Sequence, residues 1–186
     1  YPMSLESTQS PMANLLQHAS EGEIKLHLCC GPKDRMKGWV NVDACDFGQE
    51  VKADIGKRWD FAGDGEVSEI YCKDGFEHVD SAEHFLGEAA RVLRIGGVLT
   101  VWVPSFKNPS AYRMTHKRLL SWSYFDAFPE PHDAVKNLRV ISNRIYIGQK
   151  ESKGWWVVHT FINLIPNWWE RIGYVSNIEV VFQRVF

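Results

Sequence analysis

The sequence predicts a single α/β domain, a three-layer sandwich built on a mostly parallel sheet. Its 186 residues suit one hydrophobic core, and 45% hydrophobic with 24% charged residues is the balance of a folded protein. Three short stretches with strand-like patterns lie near the N-terminal end, and each stops near residues that favour turns. Further along, an amphipathic helix lies between two apolar stretches, which indicates a right-handed, parallel βαβ unit.

Four strands are predicted in the first half of the chain, at 24–29, 39–43, 50–55 and 69–72. The links between the first three are only about six to nine residues long. A helical crossover needs a dozen or more residues, so we expect reduced helix cover on strands 1–3. We also expect the N-terminal segment or another chain to cover this part of the sheet.

The clearest predicted helix runs from about 81 to 95. Asp80 is its expected N-cap, because a glutamate follows three residues later as in a capping box. Gly96 and Gly97 are its expected end. The almost wholly apolar stretch at 98–103 then predicts a strand at the centre of a covered sheet.

The second half of the chain is less regular. Residues 106–136 show no clear period, which predicts an elaborated loop region. Two more strands are predicted at 138–147 and 177–186, with a short helix at 166–172 between them. Upstream of the first strand, Ser10-Pro11 predicts the start of a short helix.

Composition and charge argue against several functional classes. The net charge of −2 does not favour binding to nucleic acid or to acidic lipid. No apolar run approaches the roughly 20 residues that span a bilayer, and we expect no signal peptide. The four cysteines lack the spacing of a zinc site or a disulfide framework, so we expect a reducing, cytoplasmic location.

Tryptophan is the compositional outlier, with eight residues. Two adjacent pairs occur in the second half of the chain, at Trp155-Trp156 and Trp168-Trp169. Neighbours in such a pair point in different directions, so we expect at least one of each pair to lie in the core. An outward-facing tryptophan would suit the face of a sugar ring.

Side chains suited to a nucleoside follow the first three predicted strands. Residues 28–32, Leu-Cys-Cys-Gly-Pro, predict a small-residue turn that lets backbone amides approach a ligand closely. Asp43 ends the second strand, where a carboxylate accepts both ribose hydroxyls, and Asp54 ends the third, within reach of an adenine edge. The pattern favours a nucleoside pocket, and the alternative is a plain structural turn.

Residues 24–105 resemble the small class I S-adenosylmethionine-dependent methyltransferases, of the type associated with glycan and polysaccharide synthesis. The resemblance implies their Rossmann-like fold, with an antiparallel last strand. Cys29 stands where the family usually has the first glycine of a Gly-x-Gly turn, so its side chain narrows that turn. The matching motifs, in order, are Leu26-His27-Leu28-Cys29-Cys30-Gly31-Pro32, Gly38-Trp39-Val40-Asn41-Val42-Asp43, Ala53-Asp54-Ile55, Ile70-Tyr71-Cys72, Glu77-His78-Val79 and Arg91-Val92-Leu93-Arg94-Ile95-Gly96-Gly97.

The resemblance also implies which residues hold S-adenosyl-L-methionine. The family lacks the glycine-rich pyrophosphate cradle of the dinucleotide enzymes, so NAD is the first cofactor that we reject. The implied contacts are Cys29, Cys30, Gly31 and Pro32 beside the methionine moiety, Asp43 at the ribose, Asp54 and Ile55 at the adenine, and Cys72 and Lys73 on the strand-four side.

The catalytic expectations concern the segments after strands four and five. An alcohol is a poor nucleophile at neutral pH, so a base or a metal should help remove its proton. His78 is the first candidate base and His116 the second. Some O-methyltransferases bind a divalent cation such as Mg²⁺ on an acidic-x-x-Glu-His group, and Asp74, Glu77 and His78 are similar. The alternatives are a helix cap or cofactor contact for Glu77-His78, and a solvent-exposed loop histidine for His116.

By this resemblance we expect an enzyme that methylates a sugar hydroxyl of a glycan or glycoside. Aromatic and polar residues at 106–136 and 150–176 suit such a polyhydroxylated acceptor. The alternatives are a small-molecule O- or N-methyltransferase of secondary metabolism, or a catalytically inactive methyltransferase-like module. We expect no nucleic-acid partner and no membrane span.

The organisation that we expect is one domain in four parts. They are an appended N-terminal segment at 1–23, a cofactor-binding core at 24–105, an acceptor-side elaboration at 106–176 and the last strand at 177–186. A chain that begins Tyr1-Pro2 is also expected to be a piece of a longer protein. A dimer partner or a covalent neighbour domain would then cover strands 1–3.

Overall fold

The computed structural model describes residues 23–127, 136–148 and 155–186, and the statements that follow concern these residues. They form seven strands, four α-helices and two 3₁₀ turns, at Phe76–His78 and Pro109–Tyr112. The strands are β1 (Ile24–Leu28), β2 (Val40–Asp43), β3 (Val51–Lys52), β4 (Val67–Lys73), β5 (Leu93–Pro104), β6 (Leu138–Tyr146) and β7 (Asn177–Arg184). The helices are α1 (Ala82–Val92), α2 (Trp122–Asp126), α3 (Trp155–Ile162) and α4 (Pro166–Ile172).

All seven strands belong to one sheet, in the order β3-β2-β1-β4-β5-β7-β6. Strands β1 to β5 pair in parallel, whereas β7 runs antiparallel to both of its neighbours, β5 and β6. The predicted sheet, mostly parallel with an antiparallel last strand, is therefore confirmed. The carboxyl ends of β1 to β5 lie along the same edge, because parallel neighbours share one direction.

Among the described residues, no helix lies in the links between the first three strands, which agrees with the predicted reduction of helix cover. From residue 24 to residue 81 the chain forms strands, turns and a single 3₁₀ turn. In place of a helix, the link from β3 to β4 packs inward. Trp59 is fully buried, and its ring meets Phe85 of α1 edge-on with the centroids 5.4 Å apart. Part of the cover that we expected from the N-terminal segment or another chain therefore comes from this link.

Arg91 of α1 holds that link in place. Its guanidinium donates hydrogen bonds to the carbonyl oxygens of Trp59 (3.0 Å) and Ala62 (3.2 Å). The same group pairs with the carboxylates of Glu88 and Asp64. Because Arg91 is on a helix whereas Trp59, Ala62 and Asp64 are on the loop, this network fixes the loop against α1.

Both expected ends of the long helix are wrong. The N-cap is Ser81, whose hydroxyl accepts from the His84 amide at 3.0 Å, and not Asp80. At the other end α1 stops at Val92, and β5 begins at the next residue. The predicted helix end, Gly96-Gly97, instead lies in a bulge of β5, where one residue of β4 is opposite four of β5.

The bulge explains why glycines are needed there. Gly96 has a φ of 80°, a left-handed conformation that L side chains rarely adopt. A Cβ at Gly97 would lie 3.0 Å from the Ser68 carbonyl oxygen of β4. The two glycines are therefore needed because β4 and β5 approach each other closely here, and they do not end a helix.

Other boundaries also differ from the prediction. β3 is two residues long and not six, because Asp54 already begins a tight turn by accepting from the Gly56 amide at 2.9 Å. Helix α4 has its predicted bounds, whereas α2 and α3 were not predicted. The expected helix start at Ser10-Pro11 lies outside the described residues.

The apolar centre of the sheet is β5, as predicted. Leu99, Val101 and Val103 are fully buried there. Within the ranges that the structure describes, no helix has the length and apolar content that crossing a membrane requires.

We expect Trp59→Ala to lower the free energy of unfolding by about 3–5 kcal/mol, because it empties the space that a whole indole fills. Trp168→Ala is the matched control, since Trp168 of α4 is 55% exposed, and its loss should be within about 0.5 kcal/mol. Urea unfolding followed by circular dichroism measures both. Equal effects of the two variants would contradict the inward packing of the β3–β4 link.

Candidate active site

A cavity of about 460 Å³ opens at the carboxyl ends of β1 to β4. Four of the residues expected to hold a cofactor line it, Cys29, Asp43, Asp54 and Ile55. The remaining lining residues are Ala44, Ala53, Gly56, Lys57, Asp74, Gly75, His78, Val79 and Asp80. The cavity therefore unites the turns that follow four separate strands.

Asp43 fixes the turn after β1. Its Oδ2 accepts a hydrogen bond from the Gly31 amide at 3.0 Å, and its Oδ1 accepts from the Cys45 amide at 2.9 Å. A carboxylate has about four lone-pair positions, so two backbone donors leave capacity for further donors. Asp43 thus holds two turns together and still faces the cavity.

Close sulfur contacts form the inner wall beneath the turn. A Cβ at Gly75 would lie 2.5 Å from the Cys29 sulfur and 2.9 Å from the Cys72 sulfur. Cys29 itself has a φ of 56°, the left-handed conformation that glycine favours. The structure therefore accommodates a cysteine at this point of the turn by placing a glycine opposite it. Nothing local in the sequence marked Gly75 as the residue that makes this room.

The neighbouring thiols are held in their neutral form. Cys72 is fully buried, and the hydrogen bond with Cys29 together with burial raises the pKa of its thiol well above the ordinary value. Burial also raises the pKa of Cys30 to about 11. These cysteines are packing groups and not nucleophiles in this state.

Several residues expected at the cofactor do not line the cavity. Cys30 and Cys72 are buried behind its wall, and Gly31 contributes its backbone to the Asp43 contact. Lys73 pairs with Asp34 at 3.1 Å, an ion pair between the end of β4 and the turn after β1. Pro32 belongs to that turn but is not a lining residue.

The segment after β4 carries the candidate catalytic residues. Asp74 has a φ of 50°, and its amide donates to the Trp102 carbonyl at 2.9 Å, which ends the pairing with β5. The 3₁₀ turn Phe76–His78 follows at once and directs His78 to the cavity. Burial raises the pKa of the Asp74 carboxyl above its ordinary value.

His78 and His116 lie in direct contact. Their ring centroids are 4.5 Å apart and the rings are nearly perpendicular, at 86°. His78 Nδ1 is 3.1 Å from the Thr115 carbonyl oxygen, and His116 Nδ1 is 3.1 Å from the Ala111 carbonyl oxygen. Burial first, and then the charge of His78, lower the pKa of His116. Both candidate bases are thus brought to one place, although they are far apart in the sequence.

Glu77 is a third titratable residue beside His78 and His116. It is 1% exposed, and neither carboxylate oxygen has a hydrogen-bond partner in the described part of the chain. One ligand atom from each of Glu77, His78 and His116 lies within 4.8 Å of the other two. Asp74, which the sequence suggested as a metal ligand with Glu77 and His78, is not in this group and lines the cavity instead.

Arg118 positions the whole segment and was not singled out from the sequence. Its guanidinium donates to the carbonyl oxygens of Phe76 (3.0 Å), Val79 (2.7 Å) and Asp80 (3.1 Å), and it lies over the Phe76 ring. These contacts join residues about 40 positions apart. No local signal in the sequence could have found them.

The aromatic region on the acceptor side differs from the prediction. Trp169 packs partly against the core, but Trp155 and Trp156 are 39% and 71% exposed, so neither member of that pair is a core residue. Trp156 lines a second cavity of about 480 Å³ between β6 and α3, together with Ser142, Asn143, Arg144, Tyr146, His159, Thr160 and Asn163. Glu170 is structural: its carboxylate accepts from the Trp122 and Ser123 amides at the start of α2.

No family model matches the sequence, and no curated protein matches it. The fold, by contrast, is similar to that of many solved structures. A SAM-dependent methyltransferase from Archaeoglobus fulgidus has a TM-score of 0.61 at 13% identity, covering 93% of this chain and 92% of that one. A putative sarcosine dimethylglycine methyltransferase from Galdieria sulphuraria has a TM-score of 0.57 at 13% identity, covering 91% and 84%.

A third similar structure is a complex between the Haloferax volcanii Trm112 methyltransferase activator and the putative methyltransferase. Its TM-score is 0.55 at 16% identity, and the match covers 94% of this chain and 91% of that chain. At such low identities the likeness shows a common fold, the Rossmann-like methyltransferase fold that we expected. It leaves activity to be argued from the site.

We expect Gly75→Ala to destabilise the protein by about 1–3 kcal/mol, because the new methyl group overlaps the Cys29 sulfur. The double variant Cys29→Gly/Gly75→Ala should recover a large part of this loss, since it removes the sulfur and suits the positive φ of position 29. Urea unfolding of both single variants and the double variant forms the cycle. Strictly additive effects would contradict direct contact between positions 29 and 75.

Proposed function

We propose that the protein is an S-adenosylmethionine-dependent O-methyltransferase that acts on a sugar hydroxyl of a glycan or glycoside. The observation that carries the proposal is the cavity at the carboxyl ends of β1 to β4, in which Asp43 and Asp54 stand with His78. In open α/β sheets this edge is where ligands bind. Its volume of about 460 Å³ is that of a small-molecule site.

The charge of the cavity supports a cationic ligand. Four carboxyl groups line it, those of Asp43, Asp54, Asp74 and Asp80, against one lysine, Lys57. A concave site of one sign concentrates ligands of the opposite sign. S-adenosylmethionine supplies a methyl group on a positively charged sulfonium sulfur, and this acidic lining suits that charge.

The residues present also fit the rest of that cofactor. Asp43 keeps lone pairs for two ribose hydroxyls after it has accepted its two backbone amides. Asp54 and Ile55 provide a polar and an apolar contact for an adenine, and the Cys30-Gly31-Pro32 turn would pass the methionine moiety. In this proposal Cys72 and Lys73 support the wall from behind.

Activation of the acceptor is assigned to His78 and His116. With Nδ1–H given to a backbone carbonyl, each neutral imidazole keeps a lone pair at Nε2 that can take a proton from a hydroxyl. His78 lines the cavity and is the first candidate base, and His116 beside it is the second. Arg118 is a positioning residue, because it holds the turn that carries His78.

The second cavity supports a polyhydroxylated acceptor. Its exposed Trp156 offers an aromatic face, and Ser142, Arg144 and Thr160 offer hydroxyl and guanidinium groups for hydrogen bonds. Sugars are bound by this combination, since their C–H bonds meet the negative face of an indole while their hydroxyls need polar partners. A small-molecule acceptor remains the second candidate, and an inactive module the third.

The proposal is tested by incubating the protein with S-adenosylmethionine and panels of glycosides, catechols and amines, and measuring release of S-adenosylhomocysteine. We expect release with glycosides. Release only with catechols or amines would contradict the sugar acceptor. Binding of S-adenosylhomocysteine without turnover on any acceptor would favour the inactive module.

We expect Asp43→Ala to weaken S-adenosylhomocysteine binding by about 1–3 kcal/mol through the loss of charge-assisted hydrogen bonds. Asp60→Ala is the matched control, because the Asp60 side chain is 83% exposed and lies outside the cavity. Titration calorimetry measures both, and a melting curve of each variant separates lost binding from lost folding. Equal affinity of the Asp43 variant and the control would contradict the role of Asp43.

We expect His78→Ala to lower the rate of methyl transfer by about 10²–10⁴-fold, the usual contribution of a general base. His84→Ala on α1 is the control, since only the backbone of His84 takes part in the helix cap. If His116 is the base instead, activity should rise with pH at a lower pH than for a free histidine, because burial lowers the pKa of its imidazole.

A further inference from the structure

We propose that Glu77, His78 and His116 form a binding site for a divalent transition-metal ion, and that Zn²⁺ is the ion that their donor set fits best. The site stands on the geometry of three side chains and does not depend on methyl transfer. It differs from the Mg²⁺ set suggested by the sequence, because His116 takes the place of Asp74.

The backbone holds the two halves of this site together. Glu77 and His78 are neighbours in one 3₁₀ turn, whereas His116 comes from the loop after β5. The Lys117 amide donates to the Glu77 carbonyl oxygen at 2.8 Å, which ties the residue after His116 to the first ligand. Arg118 donates to the carbonyl oxygens on both sides of the turn, at Phe76 and Val79. The three ligands are therefore placed before any ion arrives.

Both imidazoles make the outer hydrogen bond that metal-ligating histidines usually make. In each ring Nδ1 lies 3.1 Å from a backbone carbonyl oxygen, of Thr115 for His78 and of Ala111 for His116. A carbonyl can only accept, so Nδ1 carries a hydrogen, and in the neutral ring the lone pair is on Nε2. This outer hydrogen bond is the contact that fixes the tautomer of a coordinating histidine.

Glu77 is the independent observation that points to a cation. A carboxylate that is 1% exposed and has no hydrogen-bond partner among the described residues is costly to keep charged. The nearby Arg118 donates to carbonyl oxygens, and Lys117 pairs with Asp80. A bound ion would give the Glu77 oxygens the partner that these cations do not.

The donor set selects the type of ion. Two imidazole nitrogens with one carboxylate suit zinc and its first-row neighbours, whereas Mg²⁺ prefers an all-oxygen shell. Three protein ligands also leave a position for water or for an acceptor oxygen. Because His78 lines the cavity, an acceptor hydroxyl held there would lose its proton more readily. That last consequence rests on the proposed function: with the ion bound, the imidazoles would be ligands, and the general-base role proposed above applies to the protein without the ion.

The test is titration calorimetry of ZnCl₂ into the full chain after treatment with a chelator, without cofactor or acceptor. Every sample carries Cys45→Ser, because Cys45 is an exposed thiol that could bind zinc by itself. We expect one ion per chain with micromolar or tighter affinity, and no binding of MgCl₂. We expect His116→Ala and Glu77→Gln each to weaken zinc binding by at least about tenfold.

Asp74→Asn is the matched variant, since Asp74 is three residues from Glu77 and outside the three-residue group. It should weaken zinc binding by clearly less than the loss of about tenfold or more that is expected of the ligand variants, because it supplies no ligand and acts only through its charge. Zinc should also raise the melting temperature of the Cys45→Ser parent but not of the His116 variant. If Glu77→Gln does not fold, comparison of the His116 and Asp74 variants still shows which residues bind zinc.

Three results would overturn the proposal. One is a parent protein that binds no zinc, and another is a His116 variant that binds it as the parent does. The third is an Asp74 variant that loses as much affinity as the His116 variant, which would favour the set Asp74, Glu77 and His78. These results decide zinc binding alone, and methyl transfer is measured separately by release of S-adenosylhomocysteine with and without chelator.

Discussion

The short links between the first parallel strands are the constraint on which the rest of this structure depends. A link without a helix cannot satisfy its own backbone polar groups, so side chains must do so. Asn41, which is buried in β2, accepts from the Met36 amide and donates to the carbonyl oxygens of Met36 and Trp39. Asp43 holds the turns after β1 and β2 in the same way. The polar residues of β2 therefore stabilise the turns, and only the hydrogen-bonding capacity that remains on Asp43 is available to a ligand in the cavity.

The end of the pairing between β4 and β5 shapes the chemistry at the sheet edge. Lys73 is the last residue of β4 that pairs with β5, and the next residue, Asp74, leaves the sheet in a left-handed conformation, so the chain turns sharply toward His78. The loop after β5 returns over this turn and is bonded to it through backbone and guanidinium groups. Two histidines and a buried carboxylate meet there. The acidic cavity and the imidazole cluster are thus adjacent parts of one edge, joined at His78.

The strands and the cavity residue Asp43 could be predicted from the sequence, because both have local signals. Alternation of apolar residues marks β1 and β2, and a carboxylate at the end of a strand marks Asp43. The predicted C-terminal end of α1 was wrong because a pair of glycines is typical both of a helix end and of a strand bulge. Only the pairing with β4 shows that these glycines belong to a bulge. α3 was missed because most of its outward side chains are apolar, so no helical period is visible. The contact of His116 with His78 depends on how a loop folds back, and no spacing rule reports that.

The position of β7 has a consequence for the order of events during synthesis. β7 lies between β5 and β6 in the sheet, yet it follows both in the chain. While the ribosome makes residues 138–146, the strand that will bind β6 to the sheet does not yet exist. Until β7 is made, the β6 segment has no strand to pair with, and the edge of β5 that will bind β7 is also unpaired. A nascent chain halted just before residue 177 would therefore lack two strands of the sheet and not one, at the stage when exposed edges are most prone to pair with other chains.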